Sequence, residues 1–233
     1  MMEKTWRWFG KKDKITLSML RQIGVEGIVT ALHEVPNGEI WTVEAINDLK
    51  QYIESYGMRW SVVESLPVCE EYGVNMCVHP DDPPFQILGL PRIVTNEEDI
   101  DWFLHAVDNP HNGLTFCAGS LSAGEHNDTR ELARKFAKRT HFVHLRSTAA
   151  MPGGNFIESS HLSGRGHLID LIRIFEQERP GLPMRVDHGR MMLGDEDKGY
   201  NPGYSFHGRM LALAQVEGMM AVVEDELKRG ISL

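Results

Sequence analysis

The stretch RWSVVESLPVCEEYGVNMCVHP, residues 59–80, decides the fold because two strand-like runs lie too close together within it. RWSVVES at 59–65 and NMCVHP at 75–80 both have the short apolar character of strands in a parallel sheet. Parallel neighbours need a crossover of about a dozen residues or more, and only LPVCEEYGV separates these two runs. The sequence therefore predicts that a strand and its helices are missing near Val68 and Cys69.

The rest of the chain alternates short apolar runs with helical patterns, which indicates βα units around a parallel sheet. The predicted strands are 5–10, 27–32, 59–65, 75–80, 113–119, 141–147 and 183–189. The predicted helices are 17–24, 42–57, 96–108, 128–139, 167–179 and roughly 206–229.

These seven strands and the missing one make eight, the number that closes a (β/α)₈ TIM barrel. The predicted fold class is therefore α/β, a (β/α)₈ TIM barrel without its fourth βα unit. The predicted organisation is one domain over residues 1–233 with a gap or deletion at 68/69. Either the chain has lost this unit, or the sequence joins two segments of a longer chain.

Composition limits the classes of partner. The 233 residues are 42% hydrophobic and carry a net charge of -9, which disfavours nucleic acid and anionic membranes as partners. The sequence has no apolar run of about 18 residues, and its charged N-terminus is unlike a secretory signal. The three cysteines form no CxxC pair. We expect a soluble cytoplasmic protein with reduced thiols.

Four residues of metal-ligand type lie at or near the ends of predicted strands: His79, Cys117, His144 and Asp187. Active sites of such barrels lie at the carboxyl ends of the strands, and strand alternation places these side chains on the inward face. A lone histidine or cysteine there is more often structural. Two imidazoles, a thiol and a carboxylate on four strands instead predict one metal site.

The motifs TWRWFG, VTALHEVPNGEIW, WSVVES, HPDDPPFQILGLPRIV, TFCAGS, FVHLRS, DHG and NPGYS occur in this order between residue 5 and about 218. Together they resemble the mannonate dehydratase family. The resemblance implies a (β/α)₈ barrel that binds one Mn²⁺ or Fe²⁺ and converts D-mannonate to 2-keto-3-deoxy-D-gluconate in hexuronate breakdown. It implies the same four ligands, and it also implicates His188 and Tyr204.

Two small departures from the family pattern leave these residues in place. The chain has RVDHG where the family usually has Arg-Pro-Asp-His-Gly, and CAGS where Cys-Thr-Gly-Ser is commoner. The larger departure is length, because family chains carry their fourth strand and a large helical region where Val68 meets Cys69.

Dehydration of a sugar acid needs one group to remove the C2 proton and another to protonate the leaving C3 hydroxyl. His188 and Tyr204 are the candidates, and the sequence leaves open which does which. Arg146, with Arg7 and His33, is predicted to hold the substrate carboxylate and hydroxyls. A structural role for Arg7 and His33 is equally compatible with the sequence.

Several alternatives stay open at this stage. Thiolate ligation alone favours Zn²⁺ or Fe²⁺, and Mn²⁺ enters only through the resemblance. One alternative to a mannonate dehydratase is a related metal-dependent barrel enzyme, a dehydratase or isomerase that acts on another sugar acid. The other alternative is a non-catalytic family member. The sequence also leaves the oligomeric state open, a homo-oligomer included.

Overall fold

The computed structural model describes residues 1–35, 41–64 and 75–231. The predicted break between Val68 and Cys69 lies outside the described residues. The chain divides into two compact units, Glu3–Pro67 and Met1–Met2 with Val68–Leu233. That the two units form one domain stays a prediction.

The first unit is a small parallel sheet with helices between its strands. Its described residues form β1 (Glu3–Arg7), α1 (Leu17–Gln22), β2 (Gly27–Thr30), α2 (Val43–Glu54) and β3 (Arg59–Val63). The strand order is β3-β2-β1, with Ile28 opposite Trp60. Thr42 caps α2 as predicted, because its side chain accepts a hydrogen bond from Ala45 N. Within this unit β3 is the edge strand and is partly exposed, whereas β2 is buried throughout.

The second unit contains four parallel strands and an antiparallel hairpin. Its described residues form β4 (Met76–Val78), α3 (Glu97–Ala106), β5 (Asn112–Cys117), α4 (Ala118–Ala123), α5 (Thr129–Phe136), β6 (Thr140–Leu145), β7 (Thr148–Met151), β8 (Asn155–Glu158), α6 (Leu168–Glu178), β9 (Pro183–Val186) and α7 (Phe206–Lys228). Strands β4, β5, β6 and β9 lie in that order and are all parallel. At the edge of this sheet β4 is half-buried, whereas β5 is buried along its whole length.

The core of the second unit lies between the sheet and its helices. Phe116 of β5 packs edge to face on Phe175 of α6, with ring centroids 5.3 Å apart. Val143 and Leu145 of β6 are fully buried. Phe116 therefore faces the helices, and strand alternation directs the neighbouring Cys117 to the opposite face.

A short helix and a two-stranded hairpin of the second unit were not predicted. The short helix α4 begins directly after Cys117, so β5 ends two residues earlier than expected. Strands β7 and β8 form an antiparallel hairpin. Gly153 and Gly154 both have positive φ, which suits a tight hairpin turn. The Pro-Gly-Gly-Asn run at 152–155 was the sequence signal for this hairpin.

Helix α7 confirms the predicted closing helix. Ser205 caps it by accepting a hydrogen bond from Gly208 N, and Leu213, Val216 and Val223 form part of its buried face. Among the helices of the described residues, none combines the length and the apolar character needed to cross a membrane.

Candidate active site

The carboxyl ends of four parallel strands carry the candidate ligands of the second unit. Cys117 is the last residue of β5, and it lies opposite His144 of β6 in the sheet register. His79 follows β4 directly, and Asp187 follows β9 directly. Since the strands are parallel, all four residues lie at the same edge of the sheet.

His79, Cys117 and His144 form a compact group, with one potential ligand atom from each lying within 4.8 Å of the others. His79 Nε2 is 3.1 Å from His144 Nδ1. His79 Nδ1 donates to the carbonyl oxygen of Pro80 at 2.6 Å. Because this bond occupies Nδ1, Nε2 is the ring nitrogen of His79 that faces the group. The proline next to His79 therefore helps to fix the orientation of its ring.

Cys117 lies where β5 passes into α4. The N–H and the hydroxyl of Ser120 donate to Cys117 Sγ at 3.4 and 3.2 Å. Cys117 is fully buried, so these donors replace water around the sulfur. Amide and hydroxyl donors stabilise negative charge, and the thiolate is the form of cysteine that binds metals.

Asp187 lies beside this group. Its Oδ2 is 3.9 Å from Cys117 Sγ and its Oδ1 is 3.9 Å from His144 Nδ1. Arg185 donates to Oδ1 at 2.9 Å. Burial raises the pKa of Asp187, but the positive charges of Arg185 and Arg146 outweigh it and hold the pKa well below its usual range. Asp187 is therefore ionised at neutral pH.

The donor set fits a divalent cation. Burial and the charge of Arg185 lower the pKa of His144, which keeps its imidazole in the neutral form that binds metals. Burial also lowers the pKa of His79, but negative charge at Cys117 and Asp187 more than offsets this and raises the pKa to about 9. Among the described residues, His144 Nε2 is buried without a hydrogen-bond partner. The group thus attracts positive charge.

Arg146 is the centre of a second group of charged residues. Its Nε donates to both carboxylate oxygens of Glu158, at 2.9 and 3.0 Å, and its Nη1 donates to Asp82 Oδ2 at 2.6 Å. Nη1 also lies 3.7 Å from Asp187 Oδ2. Burial lowers the pKa of Arg146, but Glu158 and the charges around it raise it overall. Arg146 therefore stays a cation held between carboxylates.

His188 and Tyr204 lie together beside this charged group. Their rings pack edge to face with centroids 5.1 Å apart. His188 Nδ1 is 3.2 Å from Glu158 Oε1, and its Nε2 is 4.0 Å from Asp187 Oδ2. The side chain of His188 is 24% exposed against 4% for Asp187, so His188 is the more accessible of the two neighbours.

Sequence reasoning missed Glu158, Asp82 and Ser120. Glu158 ends the unpredicted hairpin, and the Gly-Gly turn before it was the available signal. Asp82 belongs to the HPDDPP run but did not stand out from its neighbour Asp81. Only the structure shows that Asp82 bonds Arg146.

Arg7 and His33 belong to the first unit. Arg7 forms an ion pair with Glu64, and its guanidinium lies 5.2 Å from the ring centre of Phe9. The His33 ring is 6.1 Å from the same Phe9 ring. Partial burial, followed by the charge of Arg7, lowers the pKa of His33. Their predicted role in substrate binding stays a prediction.

Comparison with known proteins identifies the family. A sequence profile described as D-mannonate dehydratase (UxuA) matches residues 2–68 and 64–230. The match is divided at the junction where the sequence lacks a βα unit. It covers nearly the whole chain, far more than the active-site motifs alone.

Individual relatives agree with the profile. The chain is 27% identical to mannonate dehydratase 2 of Agrobacterium fabrum over 392 aligned positions, covering 98% of this chain and 99% of the relative. It is 29% identical to the mannonate dehydratase of a Marinomonas species over 383 positions, covering 94% and 98%. Both alignments greatly exceed the 233 residues of this chain, so a long stretch of each relative has no counterpart here.

The crystal structure of mannonate dehydratase from Streptococcus suis serotype 2 matches with a TM-score of 0.90 at 25% identity. The match covers 97% of this chain and 96% of that chain. This confirms the predicted fold class, a (β/α)₈ barrel without its fourth βα unit. Profile, relatives and structure agree, and the chain belongs to the D-mannonate dehydratase family.

Proposed function

We propose that the chain carries out the reaction of its family at the site in the second unit. Members are hydro-lyases of hexuronate catabolism, and the reaction removes water from D-mannonate to form 2-keto-3-deoxy-D-gluconate. The observation that carries the proposal is the His188–Tyr204 pair, which lies beside Asp187 and next to the His79–Cys117–His144 group. The residues proposed for proton transfer therefore lie beside the residues proposed to bind a cation.

The chemistry explains why both groups are needed. The C2 proton of the substrate is weakly acidic, so its removal leaves negative charge that must be stabilised, and the C3 hydroxyl leaves more readily when it is protonated. We propose that one residue of the pair removes the C2 proton and that the other assists departure of the C3 hydroxyl. Histidine titrates near neutral pH when unperturbed, which suits this work.

We propose that His79, Cys117, His144 and Asp187 hold one divalent ion. This proposal is supported by the close approach of these donors and by their combined negative charge. When bound, the ion supplies positive charge that stabilises negative charge on the substrate oxygens. Thiolate ligation alone favours Zn²⁺ or Fe²⁺, and the family resemblance favours Mn²⁺ or Fe²⁺.

Arg146 is better suited to positioning than to direct substrate contact. It is 2% exposed, and Glu158 and Asp82 already accept hydrogen bonds from its guanidinium. A substrate carboxylate would have to displace one of them. The proposal that Arg7 and His33 bind the substrate carboxylate and hydroxyls rests on the sequence alone.

Turnover of D-mannonate tests the proposal. The protein loaded with Mn²⁺ or Fe²⁺ is incubated with D-mannonate and with a panel of other sugar acids, and the 2-keto acid product is quantified. D-mannonate is expected to be the preferred substrate. Preference for another sugar acid would indicate a related dehydratase, and failure with every sugar acid would indicate a non-catalytic family member.

Substitution of the proposed proton-transfer pair gives the sharper result. His188→Asn and Tyr204→Phe are each expected to lower the rate about 10²–10⁴-fold, as loss of a general acid or base does. Metal content, measured by elemental analysis, is expected to be unchanged. Metal loss in His188→Asn would make His188 a ligand, and normal turnover would exclude it from the mechanism.

We also propose a cytoplasmic location and a small sugar acid as the binding partner, rather than nucleic acid or a membrane. The support is the role of the family in hexuronate catabolism and the net charge of -9. Light scattering of the purified protein will show whether it forms a homo-oligomer.

A further inference from the structure

Glu158 lies at the end of β8 and contacts two residues of the proposed site, although the reaction described above does not use it. We infer that Glu158 is a positioning residue that orients His188 and determines which ring nitrogen faces the substrate. The inference rests on the proposed function of His188 in proton transfer. It assigns to the β7–β8 hairpin a part in catalysis.

The contact between Glu158 and His188 determines which ring nitrogen of His188 donates a hydrogen bond. An ionised carboxylate can only accept hydrogen bonds, so the 3.2 Å contact with Glu158 Oε1 places a proton on His188 Nδ1. A neutral imidazole with Nδ1 protonated has its lone pair on Nε2. The other neighbour, Asp187 Oδ2, is 4.0 Å from Nε2, too far for a hydrogen bond. Nδ1 therefore faces Glu158, and Nε2 is the ring nitrogen left to face the substrate.

Glu158 is itself held rigidly. Arg146 donates through Nε to both of its oxygens, and Nη2 lies 2.6 Å from Oε1. Arg146 cannot swing away, because Asp82 accepts from its Nη1 at 2.6 Å. Burial raises the pKa of Glu158, but the hydrogen bonds from His188 and Arg146 outweigh it and lower the pKa. The carboxylate thus stays ionised and fixed in place.

A purely structural role for the hairpin is the competing explanation, and Thr148 provides a matched control for it. Thr148 lies opposite Glu158 in the hairpin register. Its hydroxyl is 2.9 Å from that of Ser122, a contact that secures the hairpin. Thr148→Val should weaken the attachment of the hairpin while leaving the carboxylate of Glu158 in the protein.

The first measurement reads the ring of His188 directly. Long-range ¹H–¹⁵N NMR of the full chain loaded with diamagnetic Zn²⁺ reports which ring nitrogen carries the proton, and His188→Asn identifies the signal. We expect Nδ1–H in the unsubstituted protein and in Thr148→Val, and loss of this preference in Glu158→Ala. An Nε2–H ring in the unsubstituted protein, or an unchanged ring in Glu158→Ala, would overturn the inference.

The second measurement is the steady-state rate with D-mannonate. Glu158→Ala is expected to lower kcat about 10–100-fold, with KM and metal content changed less than about twofold, as for removal of a group that orients a functional residue. Glu158→Asp should recover part of the rate, and Thr148→Val should keep most of it. Equal losses in Glu158→Ala and Thr148→Val would overturn the inference in favour of a structural role.

The two measurements separate this inference from the proposed function. If the unsubstituted protein does not turn over D-mannonate, the proposed function fails, and the NMR result still decides whether Glu158 orients His188. If turnover is normal but the ring does not depend on Glu158, the inference about Glu158 fails alone.

Discussion

Cys117 illustrates what a single residue reveals in a sequence and what it does not. The sequence predicted that Cys117 lies at a strand end, next to a strand that carries His144. This prediction followed from side-chain alternation and strand spacing, which are local properties of the chain. The two hydrogen bonds from Ser120 could not be predicted in this way. They depend on α4, a helix too short to show a periodic pattern.

Replacing Cys117 by serine is expected to weaken binding of Mn²⁺ or Fe²⁺ at least about tenfold, because a neutral hydroxyl is a poorer ligand than a thiolate. The backbone N–H of Ser120 can still donate to the new hydroxyl, so the melting temperature should change little. Titration with metal and thermal unfolding measure the two effects. Cys77→Ser is the control, since Cys77 accepts a hydrogen bond from Thr115 and lies outside the ligand group. Equal metal affinity in both variants would contradict the assignment.

His161 predicts a pH dependence of stability. Its Nε2–H donates to the carbonyl oxygen of Leu145 at 2.8 Å, and burial lowers its pKa to about 4. Unfolded histidine titrates near pH 6.5, so between these values the unfolded chain binds more protons than the folded chain. This contribution to stability is complete above pH ~6.5 and is lost as the pH falls towards about 4.

A shift of this size corresponds to about 3 kcal/mol of unfolding free energy. His161→Gln should remove most of this acid dependence, because the amide can still donate but does not titrate. Urea unfolding at several pH values between about 4 and 7.5 measures it. The exposed His105 is the control, and His105→Gln should leave the slope unchanged. An equal dependence of the unfolding free energy on pH in His161→Gln and in the unsubstituted protein would contradict the prediction.

At the scale of elements, the sequence predicted the helices and strands of the βα units but missed α4 and the β7–β8 hairpin. Asn96 and Thr42 cap helices close to the predicted starts, because capping depends on residues that are visible in the sequence. Strands β7 and β8 have four residues each and mixed polarity, so no period-2 pattern stands out. Missing this hairpin also meant missing Glu158.

Helix α4 makes a prediction through Gly119. A Cβ at this position would lie 2.3 Å from Cδ of Arg146, so Gly119→Ala must displace the buried arginine. The expected cost is about 1–3 kcal/mol of unfolding free energy, as for other overpacked sites. Denaturant unfolding measures this change.

Gly218 of α7 is the matched control for Gly119. A Cβ there would meet no atom within 4 Å among the described residues. Gly218→Ala is therefore expected to stabilise the protein by about 0.5–1 kcal/mol, through helix propensity alone. If both alanine variants stabilise the protein, Gly119 is not needed to accommodate Arg146.

At the scale of the whole molecule, the absent fourth βα unit was predicted from spacing alone. A parallel pair cannot be joined by so short a connection, and this rule requires no knowledge of side chains. The division into two compact units was not predicted, because it depends on contacts between residues far apart in sequence. The same limit applies to the Arg146 group, whose members Asp82, Arg146 and Glu158 come from separate elements.

Restoring the missing fourth βα unit is expected to stabilise the protein. A chimera that carries the corresponding segment of the Agrobacterium fabrum relative between residues 64 and 75 should cover the partly exposed strands β3 and β4. Its melting temperature and its rate with D-mannonate should both rise. A Gly/Ser segment of equal length is the control and should not stabilise, because it buries no apolar surface. A lower melting temperature in the chimera than in the control would contradict the prediction.

The edge strands β3 and β4 also affect the behaviour of the protein in concentrated solution. Each lies at the edge of the sheet in its own unit and is only partly covered. A strand edge carries free backbone N–H and C=O groups that can add a strand from another molecule. Strand addition at these edges is therefore expected to make the protein more prone to aggregate as its concentration rises.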